Sequence, residues 1–124
     1  MRISQKSAQE MSKINTISHA KIKPSSILFL LRAYNESSRI AGVIDTIMAA
    51  GFRKILVIND GSRDTTESIV RRYNNCILIS HSYNRGAGAA LETGFEFLRR
   101  SAKTLGVEFV VTFDSDGQHD IADI

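Results

Sequence analysis

The 124 residues suffice for one domain with a modest core, and 43% hydrophobic with 23% charged residues is a soluble globular balance. No apolar run approaches the roughly 18 residues of a membrane span, and the polar N-terminus lacks the apolar core of a secretory signal. The net charge of +3 is uneven. Residues 1–24 carry five basic side chains against Glu10, while the remainder holds eleven basic and twelve acidic ones. The basicity thus marks a leader over 1–24, read as solvated, with weak attraction to anionic lipid head groups as its functional alternative. No basic stripe with interleaved aromatics is present, so nucleic acid is not an expected partner.

From residue 25 to 124 the pattern predicts a single α/β domain. Ile27–Leu31 is a continuous apolar run, as expected of a strand covered on both faces, and the polar loop Arg32-Ala33-Tyr34-Asn35-Glu36 follows. Ile40, Val43, Ile44, Ile47 and Met48 recur at helical spacing, with Gly51 as the stop. Lys54–Ile58 reads as a second strand, broken by Asn59-Asp60-Gly61-Ser62. A helix is expected near Asp64, with Asp64 and Glu67 forming a capping box. Cys76–Ser80 is the third strand, and its lone cysteine reads as a packed residue in a reducing compartment. A third helix runs from the glycines after Arg85 to about Leu105, with Leu91, Phe95 and Leu98 on one face, and Glu108–Phe113 is the fourth strand. Short connections between such units require right-handed crossovers and a mostly parallel sheet with helices on both faces.

Ligands bind such sheets beyond the carboxyl ends of the strands, where every polar motif of this chain falls. Asp114 and Asp116, one residue apart at the end of a strand, project to one side. Two such carboxylates repel unless a cation lies between them, and oxygen ligands suit Mg2+ or Mn2+; the plain alternative is an ordinary polar loop. Asp60 can accept a hydrogen bond from a nucleobase N–H, with a simple Asp-Gly-Ser turn as its alternative. Tyr34 offers a flat face, Glu36 a ribose or base contact or a helix-dipole partner, and Asn84–Gly88 free N–H groups and a guanidinium for an anion. His81 and His119 each fit a satisfied structural histidine, His81 the better. The glycine spacing does not match a dinucleotide fingerprint, and no phosphate-loop lysine occurs.

Taken in order, Arg-Ala-Tyr-Asn-Glu, Asn-Asp-Gly-Ser-x-Asp-x-Thr, Asn-Arg-Gly-x-Gly-Ala-Ala-x-x-x-Gly and Asp-Ser-Asp-Gly-Gln-His-Asp span residues 27–124 and resemble the inverting family 2 glycosyltransferases. The last motif is most similar to the polyprenyl-phosphate (dolichyl-phosphate-like) hexosyltransferase branch. The resemblance implies a Rossmann-like GT-A nucleotide-binding half and metal-assisted hexosyl transfer with inversion. It implies a nucleotide-sugar site of Ala33, Tyr34, Glu36, Ile58, Asp60, Arg85, Asp114, Ser115 and Asp116, and a Mg2+ or Mn2+ site of Asp114, Asp116 and Gln118. The implied donor is a UDP- or GDP-hexose and the acceptor a lipid phosphate, handled in the cytoplasm or peripherally at a membrane surface.

Several positions depart from the family pattern. Arg32 stands where Pro is frequent, Asn59 where Asp is, Ala87 where Lys is, and Ile121 where Pro is. Members also continue beyond the metal motif, so the general base and the acceptor surface are expected beyond Ile124, and no residue of this chain is assigned as the base. The chain is accordingly read as a truncated donor-binding half, inactive on its own. A nucleotide-diphosphate-binding module needing a partner is the alternative. A nucleotidyltransferase is disfavoured by the missing glycine- and lysine-rich loop. With the fourth strand as an open edge, self-association or marginal stability is expected.

Overall fold

The computed structural model describes residues 2–5 and 22–114. In chain order these form β1 (Arg2–Gln5), a single 3-10 turn (Pro24–Ser26), β2 (Ile27–Ala33), α1 (Ile40–Ala49), β3 (Lys54–Asp60), α2 (Thr66–Val70), β4 (Cys76–His81), α3 (Ala87–Leu105) and β5 (Phe109–Asp114). The strands make one parallel sheet in the order β1-β5-β2-β3-β4. The expected α/β architecture is present, with β2 at its centre.

The sheet has one strand more than the periodicity indicates. Arg2–Gln5 falls in the segment read as a leader, yet it pairs along β5 from Arg2 opposite Phe109 to Gln5 opposite Thr112. A four-residue strand with a single aliphatic side chain leaves no periodic signal, so the partner strand defines it. The fourth predicted strand is therefore not an edge: β5 lies between β1 and β2, and among the described residues the edges are β1 and β4. The ground for expecting self-association there is gone.

Alternation along β2 divides the core into two layers. Phe29, Leu31 and Ala33 face α1 and α2 with Ile40, Ile44, Ile47, Ile55, Val57 and Val70, whereas Leu28 and Leu30 face α3 with Leu56, Ile58, Ala90 and Leu98. Every one of these is buried, and each large aliphatic side chain so placed contributes about 1.5–3 kcal/mol. Phe52, just past α1, packs its ring 4.9 Å from that of Phe29. Gly51, at φ +100°, ends α1 as expected: its N–H donates to Met48 and that of Phe52 reaches back to Ile47. At the amino end of the sheet the Lys54 ammonium donates to the carbonyls of Ser25 and Leu105, tying the 3-10 turn and the end of α3 to β3.

Two helical glycines separate propensity from packing. A Cβ at Gly42 meets nothing within 4 Å, whereas at Gly94 it would lie 2.6 Å from Cδ1 of Leu30, itself fixed in the core. Gly42→Ala should raise unfolding stability by about 0.5–1 kcal/mol. Gly94→Ala should lower it by roughly 1–3 kcal/mol, the cost of overpacking. Urea denaturation of both variants checks the opposed signs.

Candidate functional site

The carboxyl ends of the strands align by register. Arg32 of β2 lies opposite Asp114 of β5 on one side and Ile58 of β3 on the other, and Asp60 lies opposite His81 of β4. The loops after β2, β3 and β4 and the end of β5 thus share one edge of the sheet. Two polar networks hold the loops, one on each face.

On the α3 face the centre is Asp60, whose exposure is 0%. Its Oδ1 accepts from the Arg85 N–H at 2.9 Å and lies 2.8 Å from His81 Nδ1. Its Oδ2 accepts from the Gly86 N–H at 2.9 Å and from Arg32 Nη2 at 3.0 Å. Burial alone would push the carboxyl pKa up, but the donors Arg85, His81, Arg32 and Gly86 outweigh it and hold Asp60 at about 2. An ionised carboxylate only accepts, so His81 carries a proton on Nδ1, and its Nε2 meets Thr93 Oγ1 of α3 at 2.8 Å. His81 is the satisfied structural histidine that was expected. Gly61, at φ +74°, lets the loop after β3 touch the loop after β4: a Cβ there would lie 2.3 Å from the carbonyl carbon of Tyr83.

On the opposite face Asn59 donates to Ser80 Oγ at 3.2 Å and to Glu67 Oε1 at 3.3 Å, while Ser80 donates to the same Glu67 oxygen at 2.7 Å. The hydroxyl of Ser80 and then Arg71 hold the Glu67 carboxyl below its ordinary range. Glu67 is thereby drawn to β3 and β4, so the expected capping box does not form. Asp64 serves the helix start alone, accepting from the N–H of Thr66 at 2.9 Å. Its other oxygen accepts from Ser37 N–H at 3.2 Å, and the N–H of Glu36 donates to Thr66 Oγ1 at 2.8 Å. Asn35, in the left-handed region at φ +52°, takes the Arg63 N–H at 2.8 Å, and its own N–H donates to Ser62 Oγ at 2.9 Å. The loops after β2 and β3 are sewn together by the motif residues themselves.

The predicted site residues separate into three groups. Tyr34, Glu36, Asp60 and Arg85 converge at the strand ends, with the Arg32 guanidinium 5.6 Å from the centre of the Tyr34 ring and Arg39 donating to Glu36 at 3.3 Å. Ala33 and Ile58 have buried side chains in opposite core layers, so only their backbone can face a ligand. Asp114 closes β5 beside Arg32, while Ser115, Asp116, Gln118 and His119 lie outside the described residues. The general base was expected beyond Ile124, and no catalytic residue is assigned among the described residues. Among the described residues no trio of His, Cys, Asp or Glu is placed to hold a metal ion. The anion cradle is corrected: the N–H groups of Arg85 and Gly86, expected to be free, hold the chain's own Asp60, leaving the exposed Arg85 guanidinium for a ligand. Asp60 likewise has no unused lone pair for a base unless a donor leaves.

Two participants escape the sequence reading. Arg32 figures there only as a departure, although an arginine ending a buried apolar run calls for a carboxylate on a neighbouring strand. Thr93 carries no signal, being one polar residue on a helix. A cavity of 560 Å³ lined by Arg85, Glu92, Thr93, Phe95 and Arg99 lies along α3 and shares only Arg85 with the predicted set, so it is not the crevice over the strand ends. Burial raises the Cys76 thiol to about 11, consistent with an inert packed cysteine.

Asp60 makes stability depend on acid. Its carboxyl titrates near 2 when folded and near 3.9 when unfolded, so its contribution of about 2 kcal/mol is complete above the latter and lost as pH falls toward the former. Asp64, also held at about 2, acts in the same direction. Asp60→Asn should be the less stable protein at pH 7, and its deficit should shrink between pH 4 and about pH 2.5, as urea titrations would reveal.

Comparison with known proteins identifies the family. The model of the glycosyl transferase family 2 matches residues 29–124. An uncharacterized protein of Methanocaldococcus jannaschii is 33% identical over 104 residues, covering 84% of this chain and 41% of that protein. The UDP-N-acetylglucosamine–dolichyl-phosphate N-acetylglucosaminyltransferase of Methanococcus voltae is 32% identical over 114 residues, covering 79% and 44%. The poly-beta-1,6-N-acetyl-D-glucosamine synthase of Staphylococcus aureus is 33% identical over 95 residues, covering 73% and 21%. The chain spans less than half the length of each of these relatives. With the family model matched from the middle of β2 onward and the parallel sheet ending in the family's own loops, the chain belongs to glycosyltransferase family 2.

Proposed function

We propose that this chain supplies the donor-binding part of an inverting, metal-assisted glycosyltransferase that takes a nucleotide-diphosphate sugar and delivers it to a polyprenyl-phosphate acceptor. The observation that carries the reading is the alignment of Tyr34, Glu36, Asp60, Arg85 and the start of the Asp114-Ser115-Asp116 motif along one edge of a parallel sheet. The names of two relatives contain N-acetylglucosamine, which favours a UDP-linked amino sugar over a GDP-hexose. The dolichyl-phosphate in the name of one relative supports the lipid-phosphate acceptor. No helix among the described residues is long and apolar enough to cross a membrane, so these residues would meet lipid from the surface.

In this reading Tyr34 stacks on the base, Glu36 faces the ribose, and the exposed Arg85 side chain meets the diphosphate. Asp60 fixes the loops beneath the base, whose N–H takes the lone pair released when Arg32 swings away. The donor set Asp114, Asp116 and Gln118 offers two carboxylates and an amide oxygen, chemically suited to a hard divalent ion. Mg2+ or Mn2+ held there would supply charge neutralisation for the departing nucleoside diphosphate. A phosphate acceptor attacks with little need for deprotonation, so the chain's task is to bind and orient the donor.

The test is calorimetric titration of UDP and GDP with and without Mn2+. UDP should bind more tightly with the ion, and Asp116→Asn should remove most of that gain, roughly tenfold or more. Asp60→Asn should weaken nucleotide binding to a similar degree whether or not Mn2+ is present. Metal-dependence unchanged in Asp116→Asn would return the Asp114–Asp116 stretch to an ordinary polar loop.

A further inference from the structure

At the amino edge of the sheet, opposite the candidate site, two loops form a surface cavity of 400 Å³ lined by Met48, Arg53, Arg72, Tyr73, Asn74 and Asn75. Arg53 immediately precedes β3 and Asn75 immediately precedes β4. The length of β3, about 20 Å, therefore separates this cavity from the loops around Asp60. Its backbone is fixed from both sides. Phe52 is buried in the core, which holds its neighbour Arg53 at the surface. Tyr73 donates its hydroxyl to Asp45 of α1 at 2.9 Å, and its carbonyl accepts from the Cys76 N–H at 3.2 Å. Asn75 Nδ2 donates to the Arg53 carbonyl at 2.8 Å and ties the two loops together.

The two guanidiniums, by contrast, are unused. Arg39, Arg71, Arg99 and Arg100 each meet a glutamate, but among the described residues neither Arg53 nor Arg72 makes a salt bridge or a side-chain hydrogen bond. Carbonyls in the last turns of α1 and α2 accept from the N–H groups of Gly51, Phe52, Arg72 and Tyr73, so neither arginine side chain serves as a helix cap. Among the described residues no carboxylate lines the cavity, and Asp45 is engaged by Tyr73.

We propose that this cavity is a second binding site, for a phosphate monoester. Arg53 and Arg72 take the phosphate oxygens, since a guanidinium matches them with two parallel donors. The Asn74 carboxamide meets a hydroxyl of the ester, and Met48 and Tyr73 border its carbon frame. The volume is that of a small-ligand pocket, and a sugar phosphate or the head group of an anionic lipid presents the same chemistry to it. The site depends neither on the donor-binding reading nor on a metal ion.

The test is calorimetric titration of glucose 1-phosphate into the full chain, with co-sedimentation on phosphatidylcholine vesicles containing phosphatidic acid as the lipid arm. Saturable binding in either arm should weaken about tenfold in Arg53→Gln and in Arg72→Gln, each losing one charge-assisted contact. Both side chains are exposed, so both variants should keep the wild-type unfolding transition. Arg63→Gln removes the same charge from the exposed loop after β3, at the opposite edge, and should leave the affinity unchanged. Retention on vesicles without a response to glucose 1-phosphate assigns the site to the lipid head group, and the reverse assigns it to the soluble ester. Absence of binding in both arms overturns the proposal. An equal loss in Arg63→Gln also overturns it, because the effect would then be one of net charge. So does a loss in Arg85→Gln with none in Arg53→Gln, which would put the phosphate at the strand-end loops.

Discussion

A carboxylate with no contact to water is costly to keep ionised unless donors replace its hydration shell, and Asp60 has four of them. They come from three segments: the end of β2, the end of β4, and the turn that opens α3. Satisfying that one anion fixes where β4 stops, how the Asn84–Gly86 turn runs, and where α3 begins. It also aims the positive end of α3 at a negative charge that belongs to the chain itself. The rest of the candidate site is arranged around this internal ion cluster.

The second network works differently, with neutral or exposed groups. Asn59, Ser62, Asp64 and Thr66 are used one after another to bind the loop after β3 to Asn35, Glu36 and Ser37 of the loop after β2. Each link contributes modestly, about 0.5–1.5 kcal/mol, but together they remove the freedom of two adjacent loops. A pocket whose walls are preset in this way loses less entropy when a ligand orders it. The same residues that mark the motif in the sequence are thus largely framework, and under the proposed function the ligand would meet the fewer side chains left outward, such as Tyr34 and Arg85.

This division explains what was legible in the chain. Ile27–Leu31 and Lys54–Ile58 announced buried strands because continuous apolar runs have few other uses, and Gly51 announced a helix end because its backbone must turn left-handed. The order of motifs placed the site at the carboxyl edge for topological reasons, without reference to partners. Partners were where the reading fell short. Glu67 had the spacing of a capping residue, but two hydroxyl and amide donors on β3 and β4 compete for its carboxylate more strongly than one helix N–H. Arg85 and Gly86 looked like an anion site and are one, although the anion is Asp60. β1 could not be read because its pairing depends on a strand more than a hundred residues away in the chain.

Arg32 is the residue at which scaffold and proposed function are hardest to separate. On β2, next to the strand that ends in Asp60, a neutral residue would leave that buried carboxylate without its one cationic side-chain donor from the central strand. The arginine supplies that donor, so the strand ends are held together before any ligand arrives. Under the proposed function, a nucleotide base that displaced this guanidinium from Asp60 would have to bring a donor of its own, because the buried carboxylate cannot be left with an unpaired lone pair at no cost.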